Sequence, residues 1–270
     1  MEYGINIGYF LNSADMKTAA RLVSAAGFTR LDYTPPLKDE NWRARMIEDL
    51  KIFDAYGLSV HQTHAPFNRY GNYGDRFSVC LERCAEATEY MGAKYMVAHA
   101  DEFDFDKLAF SPEAAFDYNY KIFAPLVEGA AARGFKIAFE TVFEDGYKGR
   151  RFTSREEELI GFIKAFNSEM AVCCWDFGHS NVSFGKDAPN VARRLGSLIE
   201  CVHLHDNTGV DAHSMPLSAD INWENTMRAF SDIGYSGVMS VEYAHGVIPP
   251  PLLGDYINLT YKMARQLEAM

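Results

Sequence analysis

The chain has 270 residues, 48% of them hydrophobic and 23% charged, with a formal net charge of −11. That composition excludes an intrinsically disordered chain, and the acidic balance argues against broad nucleic-acid binding, which needs Lys and Arg at phosphates. No apolar run approaches the roughly 18 residues of a membrane-spanning helix, the N-terminus lacks the basic region of a signal peptide, and five scattered cysteines fit the reduced thiols of a cytoplasmic protein.

Along the chain one phrase recurs: an amphipathic helix, a glycine, then a short β-rich run. LVSAAGFTRLDY, IFDAYGLSVHQTH, ATEYMGAKYMVAH, GAAARGFKIAFE and AFSDIGYSGVMSVE carry it, with Gly27, Gly57, Gly92, Gly134 and Gly234 just past each helical pattern, where a left-handed residue ends a helix. Strands are predicted at 4–9, 29–33, 58–63, 94–99, 135–140, 170–175, 199–204 and 237–242. Helices are predicted at 14–26, 40–56, 75–91, 112–133, 154–166, 187–196, 222–233 and 253–268, with Ser13 and Ser154 as N-caps and Pro112 in a first turn. Eight β-then-α units predict a single (β/α)8 TIM barrel over residues 1–270. The competing doubly wound sheet needs a glycine-rich phosphate turn after its first strand, and GYFLNSAD is not one.

The barrel reading gives the histidines and acids a common address, because C-terminal strand ends converge on one mouth. His64 ends the third predicted strand, His99 the fourth, Glu140 the fifth; Asp176 and His179 follow the sixth, His203 and His205 end the seventh, Asp211 and His213 lie in the loop after it, and Glu242 ends the eighth. One such residue alone is more often a hydrogen-bonded structural group than a ligand. Six consecutive strands ending in His, Asp or Glu are costly to bury together without a metal. Cys173 and Cys174 sit within a buried strand and read as packing. REEEL at 155–159 reads as the solvated first turn of a helix.

THAPF, the strand-five Glu, DFGHS, HLHDN followed by DAH, and the strand-eight Glu together resemble the xylose isomerase-like barrel superfamily, over nearly the whole chain. That superfamily includes sugar isomerases and epimerases, endonuclease IV, and inosose and 3-dehydroshikimate dehydratases. The resemblance implies a central divalent metal, Zn or Mn, on Glu140, Asp176, His203 and Glu242. It implies up to two more ions, one on His64 and His99 with Glu140, the other on His179, Asp211 and His213. His203 is preferred to His205 as ligand because the acidic Asp206 follows it by three.

The implied activity is a metal-dependent sugar or polyol isomerase or epimerase, with Glu140 and Glu242 as acid and base, His179 as proton carrier, and His205, Phe67, Phe103 and Trp175 against substrate, Phe143 being a further aromatic candidate. A dehydratase shares the first half of that mechanism. An endonuclease IV-like phosphodiester hydrolase is the alternative, with RYGNYGDR and YKGRRF as its candidate phosphate contacts. The expected partner is a small carbohydrate-like molecule, with neither nucleic acid nor membrane; a homo-oligomer is left open. Two departures stand out: where ketose 3-epimerases carry an acid six residues after the strand-five Glu and an Arg six after the strand-seven His, this chain has Gly146 and Gly209, leaving Glu144, Asp145 or Arg150 as substitutes.

Overall fold

The computed structural model describes residues 1–146, 150–243 and 246–270. Eight strands, β1 (Glu2–Asn6), β2 (Arg30–Tyr33), β3 (Ser59–His64), β4 (Tyr95–Ala98), β5 (Lys136–Glu140), β6 (Ala171–Asp176), β7 (Ile199–Leu204) and β8 (Val238–Val241), pair in parallel in chain order, and β1 closes on β8. Outside them run α1 (Met16–Ala26), α2 (Trp42–Ala55), α3 (Phe77–Met91), α4 (Pro112–Arg133), α5 (Glu156–Ala165), α6 (Phe177–Phe184), α7 (Ala188–Leu195), α8 (Trp223–Asp232) and α9 (Pro250–Gln266). This is the predicted (β/α)8 barrel. Among the described residues no helix is long and apolar enough to cross a membrane.

The glycine punctuation acts as expected: Gly27, Gly92 and Gly134 end α1, α3 and α4 in the left-handed region. Two predicted caps are corrected. Asp15, not Ser13, caps α1 by accepting from Thr18 N at 2.7 Å, while Ser13 Oγ accepts from Ile248 N. Ser154 Oγ donates to Glu144 and to Arg151 O instead of capping α5. The single helix predicted between the sixth and seventh strands is two, because DFGHS does not run out as a loop: Asp176 accepts from His179 N at 2.6 Å and starts α6 at once.

Two apolar layers hold the barrel. Between strands and helices lies the main core, with Trp175, Phe139, Phe162 and Phe230 fully buried. Inside the lower barrel sits a small plug of Tyr95, Val97, Ala138, Val172, Cys174 and Cys201. Filling a barrel interior with side chains leaves no pore. Above the plug the inward positions turn polar, and that change of chemistry marks the floor of the site.

Candidate metal centre

Strand ends bring the donors together. His64, Glu140 and Asp176 are the last residues of β3, β5 and β6; His99 and Glu242 directly follow β4 and β8; His203 is in β7, in register with Asp176. Glu140 is ringed by imidazoles: His64 Nε2 at 3.3 Å, His99 Nε2 at 3.1 Å, His203 Nδ1 at 3.3 Å and His179 Nδ1 at 3.0 Å. His203 Nδ1 also lies 3.0 Å from Glu242 Oε2 and 3.9 Å from Asp176 Oδ2. Glu140, Asp176, His203 and Glu242 each offer a donor atom, all within 4.8 Å of one another, and a second such group is His179, His205, Asp211 and His213.

These donors fit a divalent metal. Three carboxylates and an imidazole converge in a buried space without a thiol, the donor set of a hard or borderline divalent ion rather than of a soft metal. His203, 0% exposed, makes no aligned hydrogen bond with either ring nitrogen, so Nδ1 faces the three carboxylates with its bonding capacity unspent. Three other imidazoles have Nδ1 held by a backbone carbonyl: His64 by Ala65 O at 2.9 Å, His179 by Thr141 O at 2.9 Å and His213 by Glu242 O at 3.0 Å. Such outer contacts orient metal-ligating histidines.

Electrostatics agree. Burial pushes the Glu140 carboxyl up, but the charges of His203 and His99 and the adjoining His179 imidazole outweigh it and hold Glu140 well below the usual carboxylate range. Glu242 is likewise lowered, chiefly by His203 against its own burial. Burial depresses His179 and His213, yet Asp176 and Glu140 raise His179 to about 9, while Asp211 and Glu242 raise His213 to about 10. Positive charge is what this pocket is built to receive.

The loop after β7 is held by Asp206. Its buried carboxylate accepts from Trp223 Nε1 at 2.8 Å, from Ala219 N and Ile221 N at 3.1 Å, and from Asn207 N. Asn207 Oδ1 accepts from Gly209 N at 3.0 Å, closing a turn. The chain thus returns over the mouth with Asp211 Oδ1 3.7 Å from His179 Nε2 and 3.3 Å from His213 Nε2. His213 has φ +42, uncommon for a residue with a side chain and frequent at functional sites. His205 stacks on His213 with centroids 4.1 Å apart and reaches Asp176 Oδ1 at 2.9 Å. A Cβ on Gly178 would lie 1.8 Å from His205 Cε1, so the glycine of DFGHS is required by this ring.

Over the floor opens a cavity of about 220 Å³, lined by His64, His99, Glu140, His179, Asp211, His213 and Glu242, with Tyr9, Phe67, Tyr70, Phe143 and Arg151 around it. A model of the family described as xylose isomerase-like TIM barrel matches residues 20–262. The chain belongs to that family. An uncharacterised protein of Methanocaldococcus jannaschii, MJ1311, is 27% identical over 238 residues, covering 81% of this chain and 77% of that one. The structure is similar to a xylose isomerase domain protein from Alicyclobacillus acidocaldarius (TM-score 0.78, 18% identity, 100% of this chain and 98% of that one). It is also similar to D-psicose 3-epimerase with D-tagatose from Clostridium cellulolyticum H10 (TM-score 0.77, 16% identity, 99% of each chain).

Within this family member, not every residue picked from the sequence reaches the mouth. Phe67 and Phe143 line the cavity. Trp175 does not: as an outward-facing residue of β6 it stacks on Phe184 and meets Phe230 edge-on. Phe103 packs among Phe105, Phe110 and Tyr118. His205 lies with the loop donors rather than in the cavity lining. Of the substitutes for the two lost anchor positions, Arg150 pairs with Glu158, Glu144 accepts from Arg151 N and Ser154, and Asp145 accepts from Tyr70. None of the three lines the cavity. In the YKGRRF stretch, residues 147–149 lie outside the described residues.

Two functional candidates escaped sequence reading, and a third figured there only as a phosphate contact. Tyr9 donates to Glu242 Oε1 at 3.1 Å. Asp32, fully buried at β2, stands 3.0 Å from His203 Nε2 and accepts from Gln62 Nε2 at 3.2 Å. Arg151 enters the cavity wall. Asp32 carried a signal, as the acid in an otherwise apolar strand run LDY; Tyr9 carried none, and Arg151 lay within YKGRRF, a candidate phosphate contact only.

Proposed function

We propose that this chain is a divalent-metal-dependent isomerase or epimerase of a sugar or sugar-like polyol, moving a proton at the carbon beside a carbonyl. The observation that carries this is the pair Glu140 and Glu242: carboxylates from β5 and β8, three strands apart around the barrel, both lining the cavity and both against His203 Nδ1. A planar enediolate needs a base on one face and an acid on the other, and two carboxylates approaching from separate strands supply that. Glu140, Asp176, His203 and Glu242 would hold the central metal, with His64 and His99, and His179, Asp211 and His213, as further ligands. Its chemistry there is to polarise the substrate's oxygens and offset the negative charge they gain.

The chain's own groups do the rest. Tyr9 fixes one oxygen of Glu242, so its carboxylate turns little between accepting and returning the proton. His179 presents Nε2 toward the cavity beside Asp211, placed to carry a proton to oxygen when that nitrogen holds no metal. Phe67, Tyr70 and Phe143 line the cavity, and such apolar rings limit the water around a carbanionic intermediate. That a solved relative of the same fold is a D-psicose 3-epimerase supports the choice of a sugar.

Three of the four described arginines in the hydrolase alternative's candidate contacts are engaged elsewhere, and only Arg151 lines the cavity. Arg69 is buried near Asp101, Arg76 pairs with Glu40 at 2.7 Å, and Arg150 pairs with Glu158. The test is incubation with ketoses and aldoses in D₂O, alongside an abasic-site duplex. Deuterium at the α-carbon of at least one sugar, lost in Glu242→Gln, and no nicking of the duplex are the expected results. Metal-dependent nicking without sugar exchange reverses the assignment.

A further inference from the structure

Arg151 is the one Lys or Arg among the described residues that line the mouth cavity. It is only 3% exposed. Its Nε donates to Asp101 Oδ2 at 2.5 Å, Asp101 being itself buried, and its backbone N–H donates to Glu144 at 3.0 Å. The guanidinium carbon sits 5.4 Å over the Phe143 ring, and Nη1 lies 4.0 Å from Asp145 Oδ2. Among the described residues neither Nη group makes a hydrogen bond. The fork is therefore held by its stem and by the ring beneath it, while its terminal donors remain available at the cavity wall. A rigid guanidinium loses little freedom when it binds an oxygen.

We propose that Arg151 anchors the substrate: its Nη groups donate to hydroxyl oxygens at the end of an uncharged, monosaccharide-sized polyol remote from the carboxylate floor. This rests on the isomerase reading and deepens it. Size limits the ligand first. A cavity of about 220 Å³ is smaller than the roughly 300–1,000 Å³ of sites for drug-sized ligands, which suits a single sugar unit. Charge selects next. Arg151 is balanced by Asp101 and lies near Asp145, while the lining carboxylates Glu140, Asp211 and Glu242 face the protonated His179 and His213. A terminal phosphate at Arg151 would meet a cation already paired with Asp101 and close to Asp145, a like-charge juxtaposition that discriminates against it. Barrels that bind phosphates commonly do so with loops after strands seven and eight; here the loop after β7 presents Asp211 and His213. A neutral hydroxyl asks only for a donor, and Arg151 has donors to spare.

The experiment compares wild type, Arg151→Gln and Arg151→Lys as purified holoenzymes. α-Deuterium exchange is followed on dihydroxyacetone, on the best free six-carbon ketose of a panel, and on that ketose with a terminal phosphate. Metal content and thermal midpoint are measured for each protein. KM for the free six-carbon ketose is expected to rise by about 10–100-fold in Arg151→Gln, the range for losing charge-assisted hydrogen bonds. The rise should be much smaller for dihydroxyacetone, which lacks the distal hydroxyls. Arg151→Lys, which keeps the charge beside Asp101 but not the fork, should fall between. Wild type should favour the free ketose over its phosphate. Equal losses on both chain lengths with metal retained, or a wild-type preference for the phosphate, would overturn the anchor and leave the isomerase reading standing. A wild type that exchanges no sugar overturns both.

Discussion

At the scale of single residues, the site separates atoms that face the cavity from atoms that hold them. Asp32 belongs to the second kind: a buried carboxylate against His203 Nε2, on a strand that supplies no donor of its own. Replacing it with Asn keeps the shape and removes the charge. We expect Asp32→Asn to bind the central metal about 10–100-fold more weakly, as loss of an outer partner typically does, with the metal-free protein still folded; unchanged affinity in a chelator competition would show Asp32 to be packing only. Protons bear on the neighbouring donors as well. His179 and His213 keep a proton up to about 9 and about 10, because their carboxylate neighbours outweigh burial. A metal must displace those protons, so affinity at that group should rise with pH between 6 and 9, by up to about tenfold per unit for each proton released. A pH-independent affinity by calorimetry would show that these imidazoles are not ligands.

At the scale of elements, the start of α6 decides how the loop donors meet the floor. Asp176 ends β6, caps α6 and faces His203, while Gly178 leaves the space that the His205 ring fills. Gly178→Ala places a Cβ 1.8 Å from that ring, and neither a strand end nor a helix start can move away cheaply. The variant should lose at least about 1–3 kcal/mol, the usual cost of overpacking, and with it the metal of the His179, His205, Asp211 and His213 group. A thermal midpoint and metal count equal to wild type would show that the ring has somewhere else to go.

At the scale of the whole molecule, three loops are tied over one side of the mouth. Asn68 N donates to Glu102, Arg151 donates to Asp101, and Arg69 lies 4.0 Å from both Asp101 and Asp145. Burial, aided by the charge of Asp101, pushes Glu102 up to about 8. Between its ordinary value near 4.5 and about 8 the folded protein thus holds a proton that the unfolded chain has released, so stability from this group falls as pH rises through that window and levels off above it. Glu102→Gln cannot ionise and still offers an oxygen to Asn68. Its thermal midpoint should gain on wild type steadily from pH 5 to 8; a constant difference across that range would mean that Glu102 is ionised throughout.

The sequence by itself determined the barrel and most of its floor. Helix, glycine and strand repeat along the chain because each unit must stop a helix and bury a strand locally, and those demands are written in adjacent residues. Once the barrel is read, His64, His99, Glu140, Asp176, His203 and Glu242 converge because parallel strands all end on one side. Other features depended on where the chain returns. Trp175 and Asp176 are neighbours in sequence, yet strand alternation sends one to the helices and the other to the site. Arg150 and Arg151 are also adjacent, and the loop after β5 sends only Arg151 into the cavity wall. Asp32 gains its meaning from a histidine 171 positions further on. Such placements rest on side-chain direction and on contacts between loops distant in sequence, which only the closed tertiary structure sets.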